Sequence, residues 1–310
     1  MRAVRHTERG IEVIDAPDPD GDGPVVRVRA ASICGSDLHM LAMGPAPFTL
    51  GHESSGVLDD GTTVAIDPTS PCGECDQCVT GAGHRCRTGA QRVLGIGADG
   101  GLADAVAVAG HRLVPLPPGL SVEDACLVEP LGVAVHGARL ASLTGGERVA
   151  VVGAGAIGLA AVAAAQPTAS DVGLIARHDA QRVAGERLGA TTPSGEYDVV
   201  FEAAGTESAL VTAADFCRPG GTIIFLSTLW EPVPIPGFAV AMKELGFRWS
   251  YTYNAHESGH DLDDGATLLA SNPEIAKTLI THRFPLEDAD EAFRVAADRA
   301  HGAIKVVIVP

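Results

Sequence analysis

Aromatic side chains are scarce in this 310-residue chain, at 4%: eight Phe, three Tyr and two Trp. Its cores must therefore be built from the abundant Ala, Val and Gly. Basic residues are also few, 22 Lys and Arg against 39 Asp and Glu, for a formal charge of -17. That balance argues against a nucleic-acid partner, because such affinity comes from Lys and Arg neutralising phosphates. No apolar run approaches the roughly 18 residues needed to span a bilayer. The opening Met1-Arg2-Ala3-Val4-Arg5-His6 lacks the apolar core of a secretory signal. A cytoplasmic protein with no membrane partner is expected. Internal repeats and low-complexity tracts are absent. The hydrophobic (46%) and charged (20%) fractions are ordinary, so disorder is not expected. The length favours two domains.

Cysteines number only seven, yet four fall within fifteen residues as Cys72-x2-Cys75-x2-Cys78-x7-Cys86. Tetrahedral zinc takes four thiolates at about 2.3 Å, and two-residue gaps let neighbouring sulfurs converge. A disulfide framework is the alternative, disfavoured in a reducing cytosol. The cluster reads as a metal-stapled loop, which describes architecture and not activity.

The stretch 1–125 reads as β-rich. Val25 to Ala30 alternates apolar and charged side chains, and short apolar runs recur at 56–58, 63–66 and 105–108 between Gly, Pro and Asp turn signals. Pro115-Leu116-Pro117-Pro118-Gly119 looks like a boundary. In 126–253, buried strands at 148–152, 172–176, 198–201 and 222–226 alternate with helical stretches, the pattern of a doubly wound parallel sheet. Helical segments near 261–270 and 286–298 and a last strand at 304–309 suggest that 254–310 returns to the first domain.

Gly153-Ala154-Gly155-Ala156-Ile157-Gly158 follows the 148–152 strand and opens a helix. Gly153 permits the tight turn, Gly155 lets backbone approach a pyrophosphate, and Gly158 lets helix and strand pack closely. Ala156 and Ile157 open the helix, whose N-terminus offers free N–H groups to phosphate. The next strand ends Ile175-Ala176-Arg177-His178, with no acid before Asp179. Arg177, with His178 beside it, suits a ribose 2′-phosphate, where a carboxylate would repel it. NADP(H) is therefore expected over NAD(H); a loop shift placing Asp179 on the ribose is the alternative.

Cys34-Gly35-Ser36-Asp37-Leu38-His39, Gly51-His52-Glu53 and Val128-Glu129 carry a second possible ligand set. A thiolate, an imidazole and a carboxylate leave a fourth zinc position open, which marks a catalytic site.

In this order, together with GADGGLADAV at 97–106, VEPLGVAVHG at 128–137, VVGAGAIG at 151–158 and ITHRFPLEDADEAF at 280–293, the chain resembles the zinc-dependent medium-chain dehydrogenase/reductase family over essentially its whole length. The resemblance implies an α/β protein: a Rossmann domain with a doubly wound parallel sheet plus a GroES-like β-rich catalytic domain. It implies a catalytic zinc on Cys34 and His52, with either Glu53 or Glu129 as the third ligand, and a structural zinc on Cys72, Cys75, Cys78 and Cys86. Asp37 matches the acid that orients the zinc histidine, Ser36 the hydroxyl against the substrate oxygen, and His39 the solvent end of a proton relay. Lys305 occupies a place where the family often has a basic residue near the pyrophosphate; an exposed strand lysine is the alternative. Cys126 and Cys217 match no ligand position and are expected to be small buried hydrophobes.

The implied activity is hydride transfer between NADP(H) and a secondary alcohol or polyol, or the corresponding ketone. A biosynthetic reductase on an amino sugar, cyclitol or natural-product carbonyl is the alternative within the family. A non-catalytic zinc and nucleotide sensor is the alternative outside it. The chain departs from the family pattern in length: the hairpin between Ser54 and Asp67 is short, and the connection between Leu188 and Tyr197 is brief, where relatives usually insert another strand and helix. The resemblance implies a homodimer or homotetramer, and a strand at Phe225 to Leu229 is expected to pair across subunits.

Overall fold

A computed structural model describes residues 1–21, 23–298 and 302–310. The chain forms two compact units, Met1–Glu129 with Asn254–Pro310, and Pro130–Tyr253.

The first unit begins with a hairpin of β1 (Arg2–Thr7) and β2 (Gly10–Asp15). β3 (Val25–Ser32) follows, then helix α1 (Gly35–Leu41), β4 (Glu53–Val57) and β5 (Thr63–Ile66). A short helix, α2 (Asp76–Val79), lies inside the cysteine lobe, ahead of β6 (Ala105–Ala107) and β7 (Leu113–Pro115). β3 behaves as its alternation requires: Val26, Val28 and Ala30 are buried while Arg27 and Arg29 face out.

The second unit follows from α3 (Val128–Ala141), with β8 (Arg148–Val152), α4 (Ala156–Ala165), β9 (Asp171–Ile175), α5 (Asp179–Arg187) and β10 (Tyr197–Glu202). It continues through α6 (Glu207–Phe216), β11 (Cys217–Phe225), α7 (Gly237–Met242) and β12 (Gly246–Trp249). All five strands are parallel, in the order β12-β11-β10-β8-β9. The chain reverses direction across the sheet between β8 and β10, the switch point where open α/β sheets bind ligands beyond the strand C-termini. Helix α4 is nearly all Ala, Val, Leu and Gly because it is buried. Gly158 has no room for a side chain: a Cβ there would stand 1.8 Å from the Gly153 carbonyl oxygen. The short connection from Leu188 to Tyr197 adds one parallel bridge, Gly173 to Thr191, and leaves β9 at one end of the strand order.

The tail carries a small hairpin of β13 (Ala255–His256) and β14 (Gly259–His260), then α8 (Asp261–Ser271), α9 (Glu274–Leu279), β15 (Ile280–Pro285), α10 (Ala289–Ala297) and β16 (Lys305–Val309). It belongs to the first unit, where the sheet runs β15-β16-β3-β4-β5-β7 with β6 also paired to β3. Val26, Val28, Leu50, Ile66, Leu102, Phe293 and Ile308 fill its core.

One expectation needs correction. Phe225 ends β11, which is bonded to β10 on one side and β12 on the other, so residues 225–229 offer no open strand edge. The end of the strand order is β12. No helix among the described residues is long and apolar enough to cross a membrane.

Candidate active site

Cys34 stands at the N-cap of α1, and Asp37 in the first turn accepts its backbone N–H through Oδ2 at 2.8 Å. This local closure directs the other Asp37 oxygen at His52, whose Nδ1 lies 3.3 Å away. Both atoms are buried and have no other hydrogen-bond partner among the described residues. The imidazole is thereby oriented, with Nε2 presented 3.3 Å from the Ser36 hydroxyl. Burial opposes a charge on His52, but the nearby Asp37 and Cys34 outweigh it and raise the imidazole well above its ordinary value.

The ligand atoms of Cys34, His52 and Glu53 lie within 4.8 Å of one another. Glu53 is 0% exposed and opens β4. Its two oxygens meet Lys305 Nζ at 2.8 and 2.7 Å, and the Ser32 hydroxyl donates to it as well. Glu129, in the first turn of α3, is buried nearby but outside that 4.8 Å group. Burial pushes its carboxyl up to about 8; the Glu53 charge adds to the rise, and His52 and Lys305 oppose it. Cys34, Glu53 and Glu129 thus gather around the Lys305 ammonium, with His52 and its Asp37 partner beside Cys34. A thiol, an oriented imidazole and a carboxyl group whose ligand atoms converge in this way fit a divalent cation.

The other predicted ligands also converge. Cys72, Cys75, Cys78 and Cys86 place their sulfurs within 4.8 Å of one another, with Cys72 to Cys78 at 3.8 Å and Cys75 to Cys78 at 3.5 Å. Four thiolates around zinc at about 2.3 Å give edges of about 3.8 Å. Backbone N–H groups of Cys72 and Thr88 hold the Cys86 thiol down at about 6. A third group, His256, Asp261 and Asp264, sits at the start of α8. There His256 pairs with Asp264 at 2.9 Å, and acids in a first helical turn complement its dipole. It has no parallel among the motifs read from sequence.

In the second unit the glycine turn joins β8 to α4. Gly153 has φ +101°, and a Cβ at Gly155, the N-cap, would meet no protein atom within 4 Å. Packing within the protein therefore does not require Gly155 to be glycine, whereas close approach of a pyrophosphate would. Ala156 and Ile157 form the first turn of α4. Arg177 is exposed just beyond β9, and His178 is the N-cap of α5. The Asp179 side chain, 95% exposed, stands 3.6 Å from Arg182.

Lys305 does not meet its expected role. It lies on β16 in the first unit, 2% exposed, and its three donors go to both Glu53 oxygens and the Ile33 carbonyl. A buried ammonium so saturated has no donor left for a pyrophosphate. Cys126 and Cys217 are buried, and burial pushes their thiols up to about 12 and about 11, as inert apolar cysteines require. His39 is exposed and donates Nδ1–H to the Gly35 carbonyl at 2.8 Å.

A β-rich unit with a thiolate, imidazole and carboxylate cluster and a four-cysteine lobe, in one chain with a switch-point glycine turn, is the plan of a dehydrogenase. Residues 21–118 match the alcohol dehydrogenase GroES-like domain, and residues 173–308 match the zinc-binding dehydrogenase domain. The chain is 33% identical to "Probable D-xylulose reductase A" of Neosartorya fischeri, covering 95% of this chain and 92% of that protein. It is 29% identical to sorbitol dehydrogenase of Bacillus subtilis, covering 99% and 96%. Among solved structures, a zinc-binding dehydrogenase homologue from Sinorhizobium meliloti 1021 with NADP bound superposes with a TM-score of 0.87 at 30% identity, covering 100% of this chain and 99% of that one. Galactitol-1-phosphate dehydrogenase of Escherichia coli gives 0.89 at 25% identity, covering 100% of both chains. The chain belongs to the zinc-dependent medium-chain dehydrogenase/reductase family. It is an oxidoreductase of the polyol and alcohol dehydrogenase class.

Proposed function

We propose that this protein is a zinc-dependent dehydrogenase that transfers a hydride between NADP(H) and a secondary alcohol or polyol, or its ketone. The observation that carries this is the convergence of Cys34, His52 and Glu53 within 4.8 Å, beside the Ser36 hydroxyl. Cys34, His52 and Glu53 would hold the catalytic zinc, with Glu129 alongside, and Cys72, Cys75, Cys78 and Cys86 the structural one. Zinc at such a site acidifies a hydroxyl and polarises a carbonyl. Asp37 holds the His52 ring through Nδ1, which leaves Nε2 as the nitrogen that would face a metal. Ser36 Oγ takes the proton of the substrate hydroxyl. His39 exchanges it with solvent: with Nδ1–H bound to Gly35, its Nε2 is the basic nitrogen. A bound nicotinamide would supply the hydride chemistry, and the N–H groups that open α4 would hold its pyrophosphate.

Preference for NADP(H) is supported by Arg177 at the end of β9, by the absence of an acid at 175–178 and by the pairing of Asp179 with Arg182. A screen of secondary alcohols, polyols and ketones with both cofactors, alongside Arg177→Ala, tests the whole reading. Turnover should need zinc, and Arg177→Ala should cut the NADPH over NADH ratio of kcat/KM by about 10-fold to 100-fold, the strength of a charge-assisted hydrogen bond. No turnover on any of them would defeat the enzyme assignment, and a wild-type preference for NADH the cofactor assignment.

A homodimer through the β12 edge is part of the same proposal. Trp230, Ile235, Phe238, Met242, Trp249 and Tyr251 are all exposed in a chain poor in aromatics. At about 200 Å² per large side chain they leave roughly 700 Å² of exposed surface, near the about 800 Å² per partner of a standard interface. A second copy pairing its own β12 edge would cover both patches by two-fold symmetry.

A further inference from the structure

We propose that Glu202 is a positioning residue for the dinucleotide, an assignment that rests on the nucleotide site described above. Glu202 ends β10, one of the two strands that flank the switch point, and is 1% exposed. Its Oε1 accepts the backbone N–H groups of both Ala204 and Gly205 at 2.8 Å. Its other oxygen accepts the Ser227 hydroxyl, and its main-chain carbonyl accepts the Leu226 N–H at 2.8 Å. One carboxyl group thus ties the loop after β10 to the loop after β11. Burying such a group is costly unless its lone pairs are met, and here each oxygen has a neutral donor.

The loop it holds lies directly against the glycine turn. A Cβ on Gly153 would stand 2.9 Å from Ala204 Cβ and 3.0 Å from Ala204 N, so the two loops lie against each other. Gly205 carries φ +69°, with its Cβ direction closed by the Thr228 carbonyl at 3.3 Å. Ala204 therefore has little freedom. If Glu202 releases it, the 203–205 loop and the Gly153 turn that leans on it lose their fixed spacing. The pyrophosphate cradle depends on that spacing, while the metal-site residues belong to the other unit.

The discriminating comparison is Glu202→Gln against Glu202→Asp in the full-length zinc-loaded enzyme. Gln keeps an oxygen that can accept both amides; Asp keeps a carboxyl but is one methylene too short to reach them. Affinity for NADPH and NADH is read from the fluorescence of the reduced nicotinamide, with cofactor KM, kcat at saturating cofactor and zinc content alongside. Glu202→Asp should raise cofactor Kd and KM by about 10-fold to 100-fold, with kcat at saturation and zinc content within about threefold of wild type. Glu202→Gln should stay within about threefold in all of them. Equal effects of the two variants, an unchanged Kd in Glu202→Asp, or a fall in kcat at constant cofactor KM would overturn the assignment. If Glu202→Asp does not fold, Ser227→Ala frees one side of the same carboxyl and should raise Kd by at least about threefold; no rise overturns it. Wild-type protein that binds neither nucleotide would instead defeat the nucleotide site itself.

Discussion

Replacing Lys305 with Met removes the cation that faces Glu53 and leaves that carboxylate, 0% exposed, with Ser32 as its remaining named partner. Breaking a buried ion pair from one side costs about 3–5 kcal/mol, whereas replacing both partners with groups of similar volume is often near neutral. For a protein unit of this size each kcal/mol moves the melting temperature by about 2–4 °C, so Lys305→Met should lower Tm by roughly 6–20 °C. The double variant Glu53→Gln/Lys305→Met should recover most of that loss. Metal-stripped protein is the right sample, because a cation on Glu53 would mask the deficit. Burial lowers the Lys305 ammonium, but Glu53, Cys34 and Glu129 together raise it more, and the net shift is above the ordinary lysine value. A raised base contributes fully below the unfolded pKa of about 10.4 and loses that contribution only as pH climbs through the folded value. The Lys305 contribution itself should therefore not fade between about pH 6 and 9. Calorimetry or urea melts would show it. A single variant as stable as wild type, or a double variant no better than the single one, would refute the ion-pair account.

Ser36→Ala should lower kcat by about 10²–10⁴-fold while leaving cofactor Kd and zinc content unchanged, as steady-state kinetics and metal analysis would show. Wild-type turnover in that variant would remove Ser36 from the proton path. Burial first, then Glu53, raises the Glu129 carboxyl to about 8, while in the unfolded chain it ionises near about 4.3. Between those values the metal-free fold loses stability as pH rises, so Glu129→Gln should gain on wild type across that window, by roughly a few kcal/mol, and level off above it. Parallel stability curves across a pH series would contradict this. Trp249→Glu with Phe238→Glu should convert the dimer to a monomer by sedimentation, and a wild-type monomer would dismiss the β12 interface.

Much of the site was legible because its parts are local. Cys34 and Asp37 close one turn of α1, the four cysteines close one lobe, and the glycines of 153–158 close one strand-turn-helix. In each, backbone geometry over a few residues already decides which side chains meet. Which of Glu53 and Glu129 stands within 4.8 Å of Cys34 and His52 was not legible, since both are acids at plausible places. Strand β12 was also missed: Gly246-Phe247-Arg248-Trp249 is short, and its place was read onto Phe225 to Leu229.

Residue identity alone therefore determined the donor types, their order, the nucleotide turn and the parallel-sheet class, because those follow from spacing and periodicity. The tertiary structure decided the charge partners. Lys305 meets Glu53 across 252 residues because β16 pairs with β3 at Val307 and Ser32, and β3 pairs with β4 at Ser32 and Glu53. That register is set by long-range strand pairing, which no local window contains, and it turns an expected phosphate contact into a counter-ion for a buried carboxylate.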